Sequence, residues 1–210
     1  MSAGYRVSGS DGPSHTPRRM SPADTALATE PRPILTFDPE LHAYTINGIQ
    51  VPSVTKIVGS VYPRYQVDDF YLNRGRVIHK CAELLLRGKK FTVDERVAGR
   101  VEAVKLFLNQ TQFQAEVTEQ QMGSEKYMFA GTLDAVGSLQ GRQVILDWKS
   151  SRCQEPDFLQ LVGYSILSGI HYGLTVVLND NGQYNMSEVY KLKSHQRKFL
   201  AALAVYNSEI

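Results

Sequence analysis

The sequence predicts an α/β (α+β) fold, in which a central mixed β-sheet is flanked by helices and preceded by an N-terminal β-hairpin. Helical and strand-like periodicities follow the order helices, three strands, helix, two strands and helix. Short β-prone runs separated by turn residues open this region near Leu35. The 210 residues, 42% of them hydrophobic, suffice for one domain with a core. This order of elements is typical of layered folds that mix helices with a sheet.

Charge and composition exclude several classes of protein. The net charge of +2 argues against a histone-like or polybasic binder, although basic groups could still line a single groove. No run of 18 apolar residues is present, so neither a membrane-spanning helix nor a membrane partner is expected. Two cysteines, Cys81 and Cys153, are too few for a disulfide framework or for an iron-sulfur cluster. They fit a reducing, cytoplasmic setting.

Residues 1–33 differ in composition from the rest of the chain. They hold five of the nine prolines and show no apolar periodicity, which predicts a flexible tail followed by one domain over 34–210. The segment has no apolar core of the kind that a signal peptide needs. Its arginines would suit a mitochondrial presequence, but Asp11, Asp24 and Glu30 weigh against one. The tail could recruit a single-strand-binding or annealing protein, or be inert.

Turn and cap signals define the elements of the first half. Asp38-Pro39-Glu40 and Asn47-Gly48 separate three β-prone runs and predict a hairpin or meander. Ser53 is expected to cap a short helix. Apolar residues at helical spacing predict a helix over 75–87 that stops at Gly88. A further helix, capped by Asp94, should run to about Gln110.

The second half alternates between the two periodicities. Alternation of period two predicts five strands, with turns at Gly123-Ser124 and Gln140-Gly141 among them. The strands are 113–119, 127–136, 143–149, 171–178 and 184–190, and the helices are 156–168 and one that begins near Ser194.

Asp147 and Lys149 stand two residues apart on a predicted strand. Their side chains should leave the same face, which brings a carboxylate and an ammonium together. The preceding run Val144-Ile145-Leu146 indicates a buried strand, and charges at its end are costly unless they are paired or bound to a metal. A purely structural salt bridge remains the alternative.

Asp134 ends the preceding predicted strand, 13 residues before Asp147. A hairpin between the two would bring both carboxylates within reach of one ion, and such hard oxygen donors suit Mg²⁺ or Mn²⁺. The alternative is a capping or turn aspartate.

Two pairs of residues spaced four apart are expected to share helix faces: His79 with Glu83, and Gln160 with Tyr164. A lone histidine is often an ordinary core or surface residue, and the second pair could make ordinary hydrogen bonds on a helix surface. Glu119 ends the strand before Asp134, and it could reach the same site or face solvent.

Basic and aromatic residues surround the helix that carries His79. This mixture suits phosphates and unstacked bases, and an aromatic lid over the site would favour single-stranded ends. A solvated basic face is the alternative. The basic residues are Arg74, Arg76, Lys80, Arg87, Lys89 and Lys90, and the aromatic ones are Tyr62, Tyr65, Phe70 and Tyr71.

Five sequence elements, read in order, resemble the RecB-type branch of the PD-(D/E)XK nuclease superfamily. The opening from Phe37 to Thr55 is also similar to the front of phage-encoded exonucleases and of mitochondrial genome maintenance exonucleases, so that the resemblance runs from about Leu35 to the C-terminus. The five elements are Gly75 to His79, the strand ending at Glu119, Gly131 to Asp134, Asp147 to Lys149, and Gln160 to Tyr164.

The resemblance implies a restriction-endonuclease-like core and a metal-dependent DNA exonuclease that acts on DNA with free ends in recombination, replication or DNA processing. It implies that Asp134, Asp147, His79 and the backbone carbonyl of Trp148 bind Mg²⁺ or Mn²⁺, and that Lys149 is the catalytic lysine. Iron-sulfur members of the branch use four cysteines, so no such cluster is expected here. An imidazole ligand favours Mn²⁺ at least as much as Mg²⁺.

The resemblance also implies supporting residues. Glu83 and Glu119 would be further carboxylates of the site, and Gln160 and Tyr164 would position DNA or the lysine. The expected DNA contacts are Arg74, Arg76, Lys80 and Tyr71. Three alternatives remain open: a structure-selective or restriction-like endonuclease, a catalytically silent nucleic-acid-binding module, and an unrelated α/β protein with salt-bridged acidic residues.

Overall fold

The computed structural model of the chain describes residues 33–62 and 68–209. Apart from Pro33, the predicted tail lies outside the described residues, as does Tyr65. Within the described part, none of the helices combines the length and the apolar character that crossing a membrane requires.

The N-terminal part forms a small antiparallel sheet of β1 (Leu35–Asp38), β2 (Ala43–Ile46) and β3 (Ile49–Val51). The predicted turn Asn47-Gly48 joins β2 to β3 with both residues at positive φ, 52° and 80°, the backbone that Asn-Gly favours in tight hairpins. The predicted hairpin is therefore confirmed as a three-stranded meander.

Capping residues set the starts of the first two helices. Ser53 accepts a hydrogen bond of 3.1 Å from the Lys56 backbone N–H at the start of α1 (Val54–Val61). The second helix, α2 (Asp69–Leu86), begins six residues before the predicted start, where Asp68 accepts from the backbone N–H of Phe70. The sequence hides this start because the apolar residues of its first turn face solvent and therefore show no helical stripe.

The remaining elements follow the predicted order, with three differences in extent. β4 and β5 both run past their predicted ends, the turn between them lies at 125–128 rather than at Gly123-Ser124, and the predicted last strand is split in two. The elements are α3 (Ala98–Thr111), β4 (Gln114–Ser124), β5 (Phe129–Leu139), β6 (Arg142–Lys149), α4 (Glu155–Ser168), β7 (Tyr172–Leu178), β8 (Tyr184–Met186), β9 (Tyr190–Lys191) and α5 (Gln196–Ser208).

The central sheet has the order β4-β5-β6-β7-β8, with β9 paired to the other end of β7. All neighbours are antiparallel except β6 and β7, which α4 connects in parallel, so the sheet is mixed. Helices α2 and α3 cover one face, and α1, α4 and α5 cover the other. The predicted fold class, with its helix-flanked mixed sheet and N-terminal hairpin, is confirmed.

Candidate active site

The candidate site lies where β5 and β6 separate. Their ladder ends at Ala135 opposite Leu146, and beyond it the Trp148 backbone N–H donates to Asp134 Oδ2 at 2.8 Å. A side-chain carboxylate thus replaces a strand carbonyl as the acceptor. Because the N–H and C=O of one strand residue point to the same neighbouring strand, the Trp148 carbonyl faces the same gap. Asp134 lies in the middle of β5 (Phe129–Leu139) and not at the end of a strand, where the sequence predicted it.

Three side chains from three elements form a group that could hold a metal ion. His79 of α2, Glu119 of β4 and Asp134 of β5 place one ligand atom each within 4.8 Å of the others, and His79 Nδ1 lies 3.1 Å from Asp134 Oδ1. All three are half-buried. They therefore remain accessible to an ion while being partly shielded from water.

The backbone at Glu119 is unusual. Its φ is +50°, although it lies within β4 and not at the strand end where the sequence placed it. It occupies the unpaired position opposite Asp134, between the pairs of Thr118 with Ala135 and Gln120 with Leu133. A non-glycine residue with this backbone is strained, and such strain tends to be retained at functional sites.

Lys149 lies on the other side of the gap, in a second network. Its Nζ is 2.8 Å from Asp147 Oδ2, 3.3 Å from Asp157 Oδ1 and 3.0 Å from Gln160 Oε1. Gln160 Nε2 in turn donates to the Tyr164 hydroxyl at 2.9 Å. Four of these residues are buried and Lys149 is nearly so, which fixes the position of the ammonium.

Asp157 is a member of this network that the sequence reasoning missed. It lies one helical turn before Gln160 in the first turn of α4, and its Oδ2 accepts from the Gln154 backbone N–H at 2.9 Å. The available signal was the spacing of three residues from Gln160. An aspartate in the first turn of a helix is, however, equally expected as a capping residue, so the pattern alone does not reveal its contact with Lys149.

Two carboxyl groups of the site, those of Glu119 and Asp147, have raised pKa values, which indicates that nearby positive charge does not fully compensate their burial. Burial and the nearby Asp134 raise the pKa of Glu119 to about 7. Burial, with Asp134 adding to it, likewise raises the pKa of Asp147 to about 6 despite Lys149. Burial would lower the pKa of His79, but the Asp134 carboxylate outweighs it and raises that pKa to about 9. The imidazolium in turn holds the pKa of Asp134 low against the effect of burial.

The residues present fit a divalent cation. One buried oxygen, Asp147 Oδ2, has no hydrogen-bond partner among the described residues, because its contact with Lys149 is an ion pair with poor hydrogen-bond geometry. Three carboxylates and one imidazole are donors that Mn²⁺ accepts, and the carboxylates suit Mg²⁺. Asp147 itself lies outside the three-residue group of His79, Glu119 and Asp134.

Two predicted site residues on α2, Lys80 and Glu83, form an ion pair with each other. Glu83 is 5% exposed, and it contacts Lys80 Nζ at 2.6 Å and Arg87 Nη1 at 2.9 Å. Its carboxylate is thus neutralised on its own helix. The structure does not bring Glu83 into the group around His79.

Of the expected DNA-contacting residues, Tyr71, Arg74 and Arg76 lie in the N-terminal half of α2, whereas Lys80 follows His79 and is paired with Glu83. Arg74 Cζ stands 5.0 Å from the centre of the Tyr71 ring and 5.8 Å from that of Phe70. Both rings are about half exposed, and they belong to the first turn of α2 rather than to a segment that precedes the helix. Arg76 is exposed and donates to Asn73 at 3.2 Å.

No protein-family model and no curated protein matches this chain. Several solved structures are similar to it, among them three crystal structures. A crystal structure of LHK-Exo in complex with dAMP is 12% identical, covers 76% of this chain and 87% of that chain, and has a TM-score of 0.47. A crystal structure of an alkaline exonuclease (LHK-Exo) from Laribacter hongkongensis is 10% identical, covers 75% of this chain and 86% of that chain, and has a TM-score of 0.46. The crystal structure of SSO0001 is 11% identical, covers 75% of this chain and 84% of that chain, and has a TM-score of 0.35. Similarity at this level assigns no residue of this chain a function.

Proposed function

We propose that this protein is a metal-dependent DNA exonuclease that hydrolyses phosphodiester bonds from DNA ends. The observation that carries the proposal is the group of His79, Glu119 and Asp134 beside the ion pair of Asp147 and Lys149. A cation site next to a fixed ammonium is an arrangement suited to phosphodiester hydrolysis, because both stabilise the negative charge that develops on the phosphate and on the attacking water.

The metal ligands we propose are His79, Glu119, Asp134, Asp147 and the carbonyl of Trp148. A divalent ion bound there supplies charge neutralisation at the scissile phosphate and a more acidic water. His79 must lose one of its two ring protons to solvent before that imidazole nitrogen can bind a cation. Because the group is only partly buried, a phosphate at the protein surface can approach it.

Lys149 is proposed to orient the attacking water. Burial alone would lower its pKa, but Asp147 and Asp157 outweigh burial and hold the pKa above its usual range, so that the side chain remains an ammonium at neutral pH. It therefore donates a hydrogen bond and stabilises developing hydroxide instead of removing a proton. Gln160 and Tyr164 keep the ammonium at the end of β6.

The substrate contacts proposed on α2 are Arg74, Arg76, Lys80 and Tyr71, all on the half of the helix that precedes or adjoins His79. We assign residues 34–210 to the nuclease domain and propose a cytoplasmic setting in a bacterium or a phage-infected host, in recombination, replication or DNA processing. The sequence resemblance and the two free cysteines support this assignment.

The test is a nuclease assay of the purified chain on end-labelled single-stranded, linear double-stranded and closed circular DNA, with Mg²⁺, Mn²⁺ or EDTA. Cleavage of linear DNA alone, dependent on metal and lost in Asp147→Ala and Lys149→Ala, is the expected result. Nicking of closed circles would replace the exonuclease with an endonuclease. DNA binding without cleavage would indicate a catalytically silent module.

The choice of ion tests His79 separately. Because imidazole is a better ligand for Mn²⁺ than for Mg²⁺, Mn²⁺ should support cleavage at least as well. Activity with Mg²⁺ and none with Mn²⁺ would argue against His79 as a ligand.

A further inference from the structure

Three aromatic rings of the N-terminal sheet form a cluster that the proposed mechanism does not use. Phe37 and Tyr44 face each other across β1 and β2, with ring centres 4.6 Å apart. The His42 ring lies 5.3 Å from Phe37 and 6.0 Å from Tyr44. Tyr44 is buried, Phe37 is half-buried and His42 is exposed. The cluster thus runs from the core to an open aromatic edge.

The buried end of this aromatic cluster is tied to the candidate site. The Tyr44 hydroxyl lies 2.7 Å from the Thr132 hydroxyl, and Thr132 stands two residues before Asp134 on β5. Burial raises the pKa of Tyr44, and the charge of Glu119 adds to that rise. The small sheet is therefore a wall of the site and not a separate appendage.

Two cations act on the open edge of the aromatic cluster, and one of them, Lys56, lies in the first turn of α1, which begins three residues after β3, the strand paired with β2. Burial, followed by the charges of Arg76 on α2 and Lys56 on α1, lowers the pKa of His42. Arg76 and Lys56 are both exposed. Arg76 lies three residues before His79, hence on the same side of α2 and one turn away. Positive charge and an aromatic edge therefore adjoin the group of carboxylates.

The backbone that carries the His42 ring has a defined local conformation. His42 has φ +48°, a conformation in which histidine is enriched among non-glycine residues but which remains strained. The loop before it is held by Asp38, whose Oδ1 accepts from the backbone N–H groups of Glu40 and Leu41 at 2.9 and 3.0 Å. The ring is presented at the edge without any ligand to hold it there.

We propose that this edge binds an unpaired nucleotide of the DNA substrate, with its base stacked on the exposed His42 ring and in edge contact with Phe37, whose ring is perpendicular to that of His42, and with its phosphate held by Arg76 and Lys56. A base inside a duplex has both faces covered by its neighbours, so the site selects single-stranded or frayed ends. The inference rests on the proposed nuclease function, and it assigns to the N-terminal sheet the recognition of the strand that enters the metal group.

The experiment uses the full chain in EDTA, so that nothing is cleaved, and single-stranded oligonucleotides that carry 2-aminopurine at successive positions from one end. Stacking on the aromatic edge should quench the probe at one position. His42→Asn removes the ring but keeps a residue that tolerates positive φ, and Phe37→Leu removes the second ring at similar volume. Thr36→Ala, exposed on the opposite face of β1, is the matched control.

We expect His42→Asn and Phe37→Leu each to lose the position-specific quench and to weaken single-strand binding about tenfold, while duplex binding changes less than twofold. Thr36→Ala should match the wild type in both. Wild-type quench and affinity in both ring variants would overturn the inference even if the wild type cleaves DNA. Conversely, no cleavage by the wild type in Mg²⁺ or Mn²⁺ with the quench intact would overturn the proposed activity while supporting the nucleotide site.

Discussion

The two sides of the candidate site differ in how completely their charges are satisfied. The group of His79, Glu119 and Asp134 is only partly buried, and burial and repulsion from Asp134 raise the pKa of Glu119. The network around Lys149 is more deeply buried, and its ammonium has three oxygen partners. The first side is short of positive charge and suited to receive a cation, whereas the second is already fixed. This contrast predicts separate functions, ion binding on one side and orientation of water on the other.

The two sides also differ in how the chain assembles them. The metal group joins α2, β4 and β5, and His79 and Asp134 are separated by 55 residues. The lysine network joins β6 to α4, within the 18 residues from Asp147 to Tyr164. Local spacing therefore carries information on the second side and little on the first.

The largest expected effects come from two substitutions that test whether ion binding and water orientation depend on different residues. Asp134→Asn should abolish both Mn²⁺ binding and cleavage, whereas Lys149→Met should lower kcat by about 10³-fold and leave Mn²⁺ affinity unchanged or tighter. Single-turnover kinetics and calorimetric Mn²⁺ titration measure the two properties. Lys105→Met, an exposed lysine of α3, is the control. Equal loss of Mn²⁺ binding in the two variants would contradict the division.

Above pH 6, metal affinity should depend on pH through the first side, because Asp147, with a pKa of about 6, adds a proton to be displaced only at lower pH. With pKa values of about 9 for His79 and about 7 for Glu119, an ion must displace protons from both below pH 7 and from His79 alone up to pH 9. Mn²⁺ affinity should therefore rise by about tenfold per pH unit between 7 and 9, more steeply below 7, and level off above 9. Titration calorimetry over this range measures it.

His79→Gln is the matched variant for this pH dependence. It should bind Mn²⁺ more weakly and lack the rise between pH 7 and 9. The same shift has a consequence without metal: the His79–Asp134 pair contributes stability that is full between pH 3.8 and 6.5 and is lost as the pH rises through 9 or falls through the lowered pKa of Asp134. A pH-independent affinity in the wild type would rule out a protonated His79.

A smaller effect is expected where the lysine network is loosened. Gln160→Leu removes one partner of Lys149, and Tyr164→Phe leaves Gln160 Nε2 without its acceptor. Each should lower kcat about tenfold with little change in KM, because the ammonium is displaced but not removed. Ser165→Ala is the control, since the buried Ser165 hydroxyl has no partner among the described residues. A rise in KM at constant kcat would instead indicate that Gln160 binds DNA.

The smallest effect concerns the strained backbone of the first side. Glu119→Asn and Glu119→Gln both remove the charge, but only asparagine tolerates φ near +50° readily. We expect Glu119→Asn to be more stable than Glu119→Gln by about 1 kcal/mol in chemical denaturation. Both should bind Mn²⁺ more weakly than the wild type. Equal stability of the two variants would show that the backbone at this position is not strained.

Local features of the chain were determined by the sequence itself. Periodicity and turn residues predicted the order of the elements, the Asn47-Gly48 turn and the Ser53 cap. The spacing of Asp147 and Lys149 predicted that the two side chains would meet, and they lie 2.8 Å apart. These features depend on residues close in sequence, where the geometry of a strand or helix fixes which side chains share a face.

Only the tertiary structure decided how the distant elements meet. The register of β4 and β5 shifts by one residue between Ala115 and Val117, and without this shift Thr118 rather than Glu119 would stand opposite Asp134. Asp134 enters the gap between β5 and β6, and Tyr44 reaches Thr132 from another sheet. A bulge and a strand separation each lose hydrogen bonds between strands and are stabilised by packing from elsewhere in the chain. No local sequence pattern therefore predicts them.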